Sequence, residues 1–299
     1  MAIRRSALLS VSLLTAGAMA LTGCAKNSEG GTSPTKSIAV SQAQNLKTLV
    51  PSTLVTAGTL TVGIDPTYAP NEFKDPKGKI VGFDVDLINA VATKLGLKTK
   101  FIESRFDNII PGIAGATPKY DIGVSSFSDN KEREKSVDFV TYFKAGSQWA
   151  APASKNVDPN NACGLRVAVQ TATVQANVDA PARSKACTSA GKKAISIQKY
   201  DKQDDATTAV ALGKADALIA DSPVTAYGVK QSGGKLHLVG KIYDAAPYGY
   251  PMKKGGQLPK AIEAAVQSLM DDGTYKKICE NWGNTSGQIT QAKINGATS

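Results

Sequence analysis

Apolar positions along this chain recur with two different periods, and the points where one period gives way to the other mark its elements. Thr59-Leu60-Thr61-Val62-Gly63-Ile64 alternates polar and apolar, as a half-buried strand does. After Gly82-Phe83-Asp84-Val85-Asp86-Leu87 the period lengthens: Leu87, Ala90, Val91 and Leu95 keep helical spacing until Gly96. Lys98 to Glu103 predicts a strand, Phe106 to Ala114 a helix, and Tyr120-Asp121-Ile122-Gly123-Val124 a short apolar strand. The resulting β-α-β-α-β order predicts a parallel sheet covered by helices. Val137 to Phe139 and Thr141 to Ala151 are extended segments leading out of this unit.

A second unit of the same kind begins near Ala150. Leu165 to Gln170 predicts a strand, and Thr171-Ala172-Thr173-Val174 opens a helix. Ala194 to Gln198 is a further strand, Asp204 to Leu212 a helix, and Asp216 to Ala220 a buried strand with Asp221 at its C-terminal end. Ser222-Pro223 starts another helix, with proline at the first position. Leu236 to Val239 and Tyr248 to Met252 predict strands that return to the first unit. Leu258, Ile262, Ala265, Val266, Leu269 and Met270 form one apolar helical stripe, and a last short helix ends at Trp282-Gly283. The segment after Gly287 is expected to fray.

The chain begins differently. Arg4-Arg5 precedes an apolar run from Ser6 to Leu21 that is short for a membrane span, the pattern of an export leader over residues 1–23. The run closes on Leu21-Thr22-Gly23-Cys24, which resembles a bacterial lipobox with Cys24 as the lipidated mature N-terminus. Residues 24–50 are rich in Ser, Thr, Gly, Lys and Gln and are expected to form a flexible tether.

The 299 residues leave room for two domains, and 42% hydrophobic with 20% charged residues is the composition of a soluble globular protein. The formal net charge is +10, but the cations are interleaved with acids, as in Lys131-Glu132-Arg133-Glu134-Lys135. No basic stripe with interleaved aromatics is present, which argues against nucleic-acid binding. The single histidine, His237, follows a Gly-Gly-Lys turn and reads as structural or solvated. With no zincin helix, Walker loop or nucleophile elbow, metal and hydrolase chemistry have little to work with. No metal site and no cofactor are expected.

The stretch Ser125-Ser126-Phe127-Ser128-Asp129-Asn130-Lys131-Glu132-Arg133 carries the densest candidate chemistry. Asp129 and Glu132 have capping-box spacing, so a helix should begin there and offer free N–H groups to an anion. Ser126 and Ser128 add hydroxyls, and Arg133 adds a planar fork that fits a carboxylate. Two readings fit this pattern: a clamp for a small carboxylate ligand, or a capped surface helix with a solvated arginine. Asp65 and Tyr68 sit where ligands gather in α/β sheets, beyond the C-terminal end of a strand. Asp221 sits at a second such end and suits an ammonium group, or it caps a helix without any ligand. Phe106 fits the core better than a ligand wall.

Cys163 and Cys187 flank the first strand–helix element of the second unit, and a disulfide between them suits an exported protein. Cys279 is left over in the apolar row Tyr275, Ile278, Cys279, Trp282 and is expected to be buried and unpaired.

Taken together these residues resemble the family 3 solute-binding proteins of ABC transporters, the polar amino-acid-binding group, from roughly Leu54 to Gly283. Gly82-Phe83-Asp84-Val85-Asp86-Leu87 with Ala90-Val91-Ala92 is similar to the family signature. Asp65-x-x-Tyr68-x-Pro70, Phe106-x-x-Ile109-Ile110-Pro111, Ser128-x-x-x-x-Arg133, Ala215-Asp216-Ala217 with Asp221, and Gly273-Thr274-Tyr275 fall in family order. The resemblance implies a two-lobed, periplasmic-binding-protein-like α/β fold, each lobe a mostly parallel sheet with helices on both faces. It implies a first lobe over residues 51–146 and 242–285, a second over 147–241, a tail over 286–299, and two crossing strands near Lys144–Ser147 and Val239–Tyr243.

The resemblance also implies roles. Arg133 and Ser128, helped by the Thr173 region, take a ligand's α-carboxylate. Asp221 and the Ser126 carbonyl take its α-ammonium, Tyr68 and Phe106 sandwich it, and Asp65 lies near its side chain. Asn71 stands where an aromatic is usual, and Ala172 and Val174 where glycine or a polar residue is common. Asp65 ranks cationic amino acids first, neutral polar ones such as glutamine second, and glutamate or aspartate last, unless a neighbour such as Lys74 neutralises it. The implied protein is a monomeric lipoprotein on the outer face of the cell membrane. It closes its lobes on an amino acid, hands it to an ABC permease and makes or breaks no bond. An enzyme reading, a dehydratase using Glu72, Glu103 or Asp65 as acid, and a sensor lipoprotein are the alternatives.

Overall fold

The computed structural model describes residues 38–298. The expected leader, Cys24 and the start of the expected tether lie outside those residues. From Ile38 onward the tether reading does not hold. Ile38, Val40, Ala43 and Val50 pack against the first core, and α1 (Gln44–Lys47) lies beside it. The Ala43 N–H donates to the Lys94 carbonyl at 3.0 Å. A few apolar side chains suffice here because they meet an already formed surface.

β1 (Thr59–Ile64) is followed by a small antiparallel sheet of β2 (Thr67–Tyr68), β3 (Glu72–Lys74) and β4 (Ile80–Val81). Then come α2 (Phe83–Lys94), β5 (Lys98–Glu103), α3 (Phe106–Ala114), β6 (Ile122–Gly123) and α4 (Lys131–Glu134). The long β7 (Val137–Pro152) leads to β8 (Arg166–Gln170) and, after a π turn over Gln175–Asp179, to α5 (Ala180–Ser189). β9 (Ser196–Tyr200), α6 (Gln203–Ala211), β10 (Ala217–Asp221) and α7 (Ser222–Gln231) follow. The chain closes with β11 (Leu236–Lys253), α8 (Leu258–Asp271) and α9 (Thr274–Asn281).

The large sheet has the order β5-β1-β6-β11-β7-β10-β8-β9. Its two flanks are parallel, β5 with β1 and β6 on one side and β10 with β8 and β9 on the other. β7 and β11 run antiparallel through both. Ala246–Lys253 of β11 pairs with the first half of β7, and Leu236–Val239 with its second half. The sequence pattern predicts two separate pieces for each, whereas β7 and β11 are continuous strands. Register is lost between Val239, Tyr243 and Ala246, where the two strands cross from one lobe to the other. A Cβ at Gly146 would lie 2.5 Å from the Tyr243 carbonyl oxygen, so only glycine permits that crossing.

Each lobe has its own core. In the first, Leu60, Val62 and Ile64 of β1 pack with Phe83, Leu87 and Val91 of α2 and with Ile262, Val266 and Leu269 of α8. In the second, Trp149, Val167, Val169 and Ile219 form the centre. Each such side chain contributes about 1.5–3 kcal/mol through burial. The Cys163–Cys187 disulfide is formed, and Cys279 is free and buried.

The last segment is ordered against the sheet instead of fraying. β10 covers only the second half of β7, which leaves backbone groups of the first half without a strand partner on that side. The tail supplies them: Thr141 N–H donates to the Lys293 carbonyl at 2.9 Å, and Lys144 N–H to that of Gly287 at 2.8 Å. Asn295 accepts from Phe139 N–H through its side chain at 2.8 Å. A buried strand edge needs such partners.

Candidate functional site

The C-terminal ends of β1, β6, β8 and β10 converge with the turns that follow them, and their residues line one pocket. Tyr68, Phe106, Ser125, Ser126, Ser128, Arg133, Gln170, Thr173, Val174, Gln175 and Asp221 form its wall. Seven of the eight residues expected to bind ligand are therefore in that wall, and the eighth, Asp65, bonds three of the wall residues, Ser125, Phe106 and Gln170.

Asp65 directly follows the last residue of β1 and is 4% exposed. Its carboxylate accepts from Thr67 Oγ1 at 3.0 Å, Phe106 N–H at 3.2 Å and Gln170 Nε2 at 2.8 Å. Burial outweighs these donors and pushes its pKa up to about 6. Lys74 does not neutralise it, because Lys74 pairs with Glu103 at 2.8 Å.

Asp221 ends β10 and accepts three hydrogen bonds: Tyr248 OH at 2.7 Å, Tyr68 OH at 2.9 Å and Gln175 Nε2 at 2.8 Å. Burial raises its pKa, and the three donors with Arg133 oppose that rise. Tyr68 lies in the first lobe and Asp221 in the second, so this bond crosses the cleft. The Arg133 guanidinium crosses it too, donating to the Ala172 carbonyl at 3.0 Å and, on its own side, to that of Ser128 at 2.8 Å. Burial lowers the Arg133 pKa to about 10, which leaves it charged at neutral pH. Its fork lies over the Phe106 and Phe127 rings at 5.6 and 5.4 Å, and those rings stack at 4.4 Å. Phe106 is thus both core and pocket wall. With these contacts made, the pocket retains about 10 Å³ for water, the minimum for a single molecule. An amino acid enters only if the lobes part.

The α4 start departs from the capping-box expectation. The cap is Asn130, whose side chain accepts from Arg133 N–H at 2.9 Å, and the helix is only four residues long. Asp129 turns inward, 1% exposed; burial first, and then the nearby Glu134 charge, push its pKa up to about 7. The Ser126 hydroxyl is also committed elsewhere: it accepts from Asn71 Nδ2 at 2.9 Å and lies 3.2 Å from Glu72 Oε2. Its N–H donates to Asp84 Oδ2 at 3.1 Å. Neither donor is free for an anion, which leaves Arg133 and Ser128 of the donors expected there. Thr173 Oγ1 donates to the Gln170 carbonyl and accepts from Ala176 N–H, bracing the π turn.

Gln170, Gln175 and Tyr248 were missed. Gln175 sits in the π turn, a feature common at functional sites but invisible to hydrophobic periodicity. Tyr248 lies in a strand and reaches Asp221 only through the sheet order. Asn71, the departure noted in the first loop, is fully buried and joins Ser126 to Asn284. Among the described residues no group of three His, Cys, Asp or Glu is arranged to hold a metal. Among them, too, no helix is long and apolar enough to cross a membrane.

Comparison with known proteins bears on this site. Residues 60–285 match the bacterial extracellular solute-binding proteins, family 3. An arginine-binding protein of Corynebacterium glutamicum is 40% identical over 285 residues, covering 94% of this chain and 93% of the relative. An ancestral arginine-binding protein solved with arginine aligns with a TM-score of 0.69 at 34% identity, over 75% of this chain and 98% of that one. An ancestral amino-acid-binding protein described as a precursor of cyclohexadienyl dehydratase aligns with a TM-score of 0.67 at 33% identity, over 75% and 95%. This chain, with its two parallel flanks joined by β7 and β11 and its pocket where the strand ends meet, belongs to the bacterial extracellular solute-binding proteins, family 3.

Proposed function

We propose that the chain binds an α-amino acid with a cationic side chain and delivers it to an ABC permease. The observation that carries this reading is the presence, in one pocket, of the Arg133 guanidinium and the Asp221 carboxylate. An α-amino acid brings a carboxylate and an ammonium to match them. In this reading Arg133 and Ser128, with Thr173, hold the carboxylate, and Asp221 with the Ser126 carbonyl holds the ammonium. Tyr68 and Phe106 flank the ligand. Asp65 receives a cationic side chain, in place of the Gln170 amide that it now accepts from. Two relatives named for arginine support the choice of cation.

Residues 51–146 with 242–285 act as one lobe and 147–241 as the other, closing about the β7–β11 crossing. The tail, 286–299, belongs with the first lobe. Leu21-Thr22-Gly23-Cys24 makes Cys24 the lipid anchor on the outer face of the membrane, and the working unit is a monomer. The chain is a carrier and not an enzyme: the relatives named above are called binding proteins, the precursor of a dehydratase included. A thermal-shift screen of the twenty amino acids tests the reading. A ligand at a hundred times its Kd stabilises by about 2.7 kcal/mol. Arginine, lysine or histidine should raise Tm, with glutamine weaker; a shift for glutamate alone overturns the assignment and removes Asp65 from the side-chain site.

A further inference from the structure

We propose that Glu72 and Asp84 share one proton and together act as the positioning pair for Ser126, holding its backbone in the left-handed conformation at the pocket wall. Both residues are completely buried. They come from different elements, β3 and the first turn of α2. The loop before β3 brings them together: Asp84 N–H donates to the Asn71 carbonyl at 2.9 Å. Gly82, at φ +142°, makes that approach possible, since a Cβ there would lie 2.0 Å from the Asn71 oxygen.

The two carboxyls adjoin: Glu72 Oε2 lies 3.2 Å and Asp84 Oδ2 3.3 Å from the same Ser126 hydroxyl. Two ionised carboxylates side by side repel, and one proton held between them replaces that repulsion with a hydrogen bond. Asp84 Oδ2 is saturated, accepting from Tyr142 OH at 2.6 Å and from Ser126 N–H at 3.1 Å. Asp84 Oδ1 is buried and meets no N–H or hydroxyl donor. A protonated Glu72 is the group left to satisfy it. The surroundings keep the proton in place. Asp65, just after β1, adds a negative charge that disfavours a second one on the pair. Tyr68 from β2, Tyr142 from β7, and Tyr248 and Tyr250 from β11 also face the pair; burial keeps these hydroxyls protonated, and the Tyr142 hydroxyl favours the charge on Asp84. Burial raises both carboxyls, Glu72 the more.

Ser126 is what the pair holds. Its φ of +50° is unfavourable for a residue with a β-carbon and persists only where the surroundings impose it. Its N–H is fixed by Asp84, and its hydroxyl lies 3.2 Å from Glu72 and 3.3 Å from Asp84. The pair thus acts on the ligand through Ser126 and touches no pocket surface itself. The consequence for binding rests on the reading that Ser126 lines an amino-acid pocket; the proton does not.

The test has one arm without ligand and one with arginine. In the ligand-free full chain at about pH 8, where ordinary carboxyls are ionised, the infrared spectrum should hold a carboxylic-acid C=O stretch that Glu72→Gln removes. Absence of that difference band overturns the shared proton, whatever the protein binds. In calorimetry, Glu72→Ala should weaken arginine binding by at least about tenfold. Glu72→Gln, whose amide can donate to Asp84 as the protonated acid does, should restore the affinity to within about threefold. If Glu72→Gln loses as much as Glu72→Ala, the pair does not position Ser126 through a proton. Should Glu72→Ala fail to fold, the glutamine variant alone decides, since a tenfold loss there is incompatible with the proposal.

Discussion

The Tyr68 hydroxyl donates to Asp221 Oδ2 at 2.9 Å from the opposite lobe. The carboxylate proposed to receive a ligand's ammonium is thus already satisfied by its own protein, as Arg133 is by the Ala172 carbonyl. Binding exchanges these internal bonds for bonds to the ligand. The affinity gained is therefore the difference between two sets, not the sum of one.

Arg133 is the point at which that difference should be largest. Arg133→Ala leaves a ligand carboxylate unpaired in a closed cleft, at about 2–5 kcal/mol. Calorimetry on the folded variant should show binding weakened by roughly thirty-fold to several-thousand-fold. A loss under about threefold would remove Arg133 from the clamp.

Asp65 gives the site a pH dependence. Its folded pKa, about 6, lies above the ordinary aspartate value of 3.8, so the folded state takes up the proton first as pH falls. Relative to the unfolded chain, the stability tied to its protonation is complete below the lower value and is lost as pH rises through about 6. A cationic side chain prefers the ionised form. Arginine affinity should then drop as pH falls through about 6 while glutamine affinity changes less, and arginine binding near that pH should release protons. Calorimetry in two buffers of different ionisation enthalpy reads the proton count. Proton uptake on arginine binding would contradict Asp65 as the receiver.

Non-reducing mass mapping should find one Cys163–Cys187 bridge and a free thiol at Cys279. Burial pushes the Cys279 thiol up to about 12, so it should resist alkylation in the folded protein. Reducing the bridge, which closes a loop with a sequence separation of 24, should lower stability by about 3–4 kcal/mol in the chain-entropy picture. A bridge that includes Cys279 is the contrary result.

Asn295 tests the docked tail. It bonds Phe139 N–H at 2.8 Å and Asp138 Oδ1 at 3.0 Å, and its own N–H reaches the Phe139 carbonyl at 3.0 Å. Asn295→Ala leaves the Phe139 N–H unpaired and should cost about 1–3 kcal/mol in urea unfolding. An unchanged midpoint would mean that the tail contributes nothing to β7.

Cys24→Ser should move the protein from the membrane fraction to the soluble one, on the strength of Leu21-Thr22-Gly23-Cys24 after an apolar run. If the variant fractionates with the wild type, the anchor lies elsewhere.

The sequence by itself determined the elements, their parallel order and most of the pocket. Period-2 and period-3.6 patterns located β1, α2, β5, α3 and α8 to within a few residues, because each buries one face and its side chains must repeat accordingly. Asp65, Asp221 and Arg133 were legible because strand ends and fork-shaped donors have local signatures. The tertiary structure decided the rest, wherever a partner is distant in sequence. Tyr248 reaches Asp221 only once β11 lies beside β7, and Gln170 reaches Asp65 only once the lobes close. The tail from residue 286 looked polar and loose, yet an uncovered edge of β7 needed its backbone. Glu72 and Asp84 are twelve positions apart, and their shared burial around Ser126 follows from the Asn71–Gly82 crossing, which no periodicity records. Local patterns report what a residue does with its neighbours in the chain, whereas hydrogen bonds across a cleft are fixed by the packing of surfaces that those patterns only begin to specify.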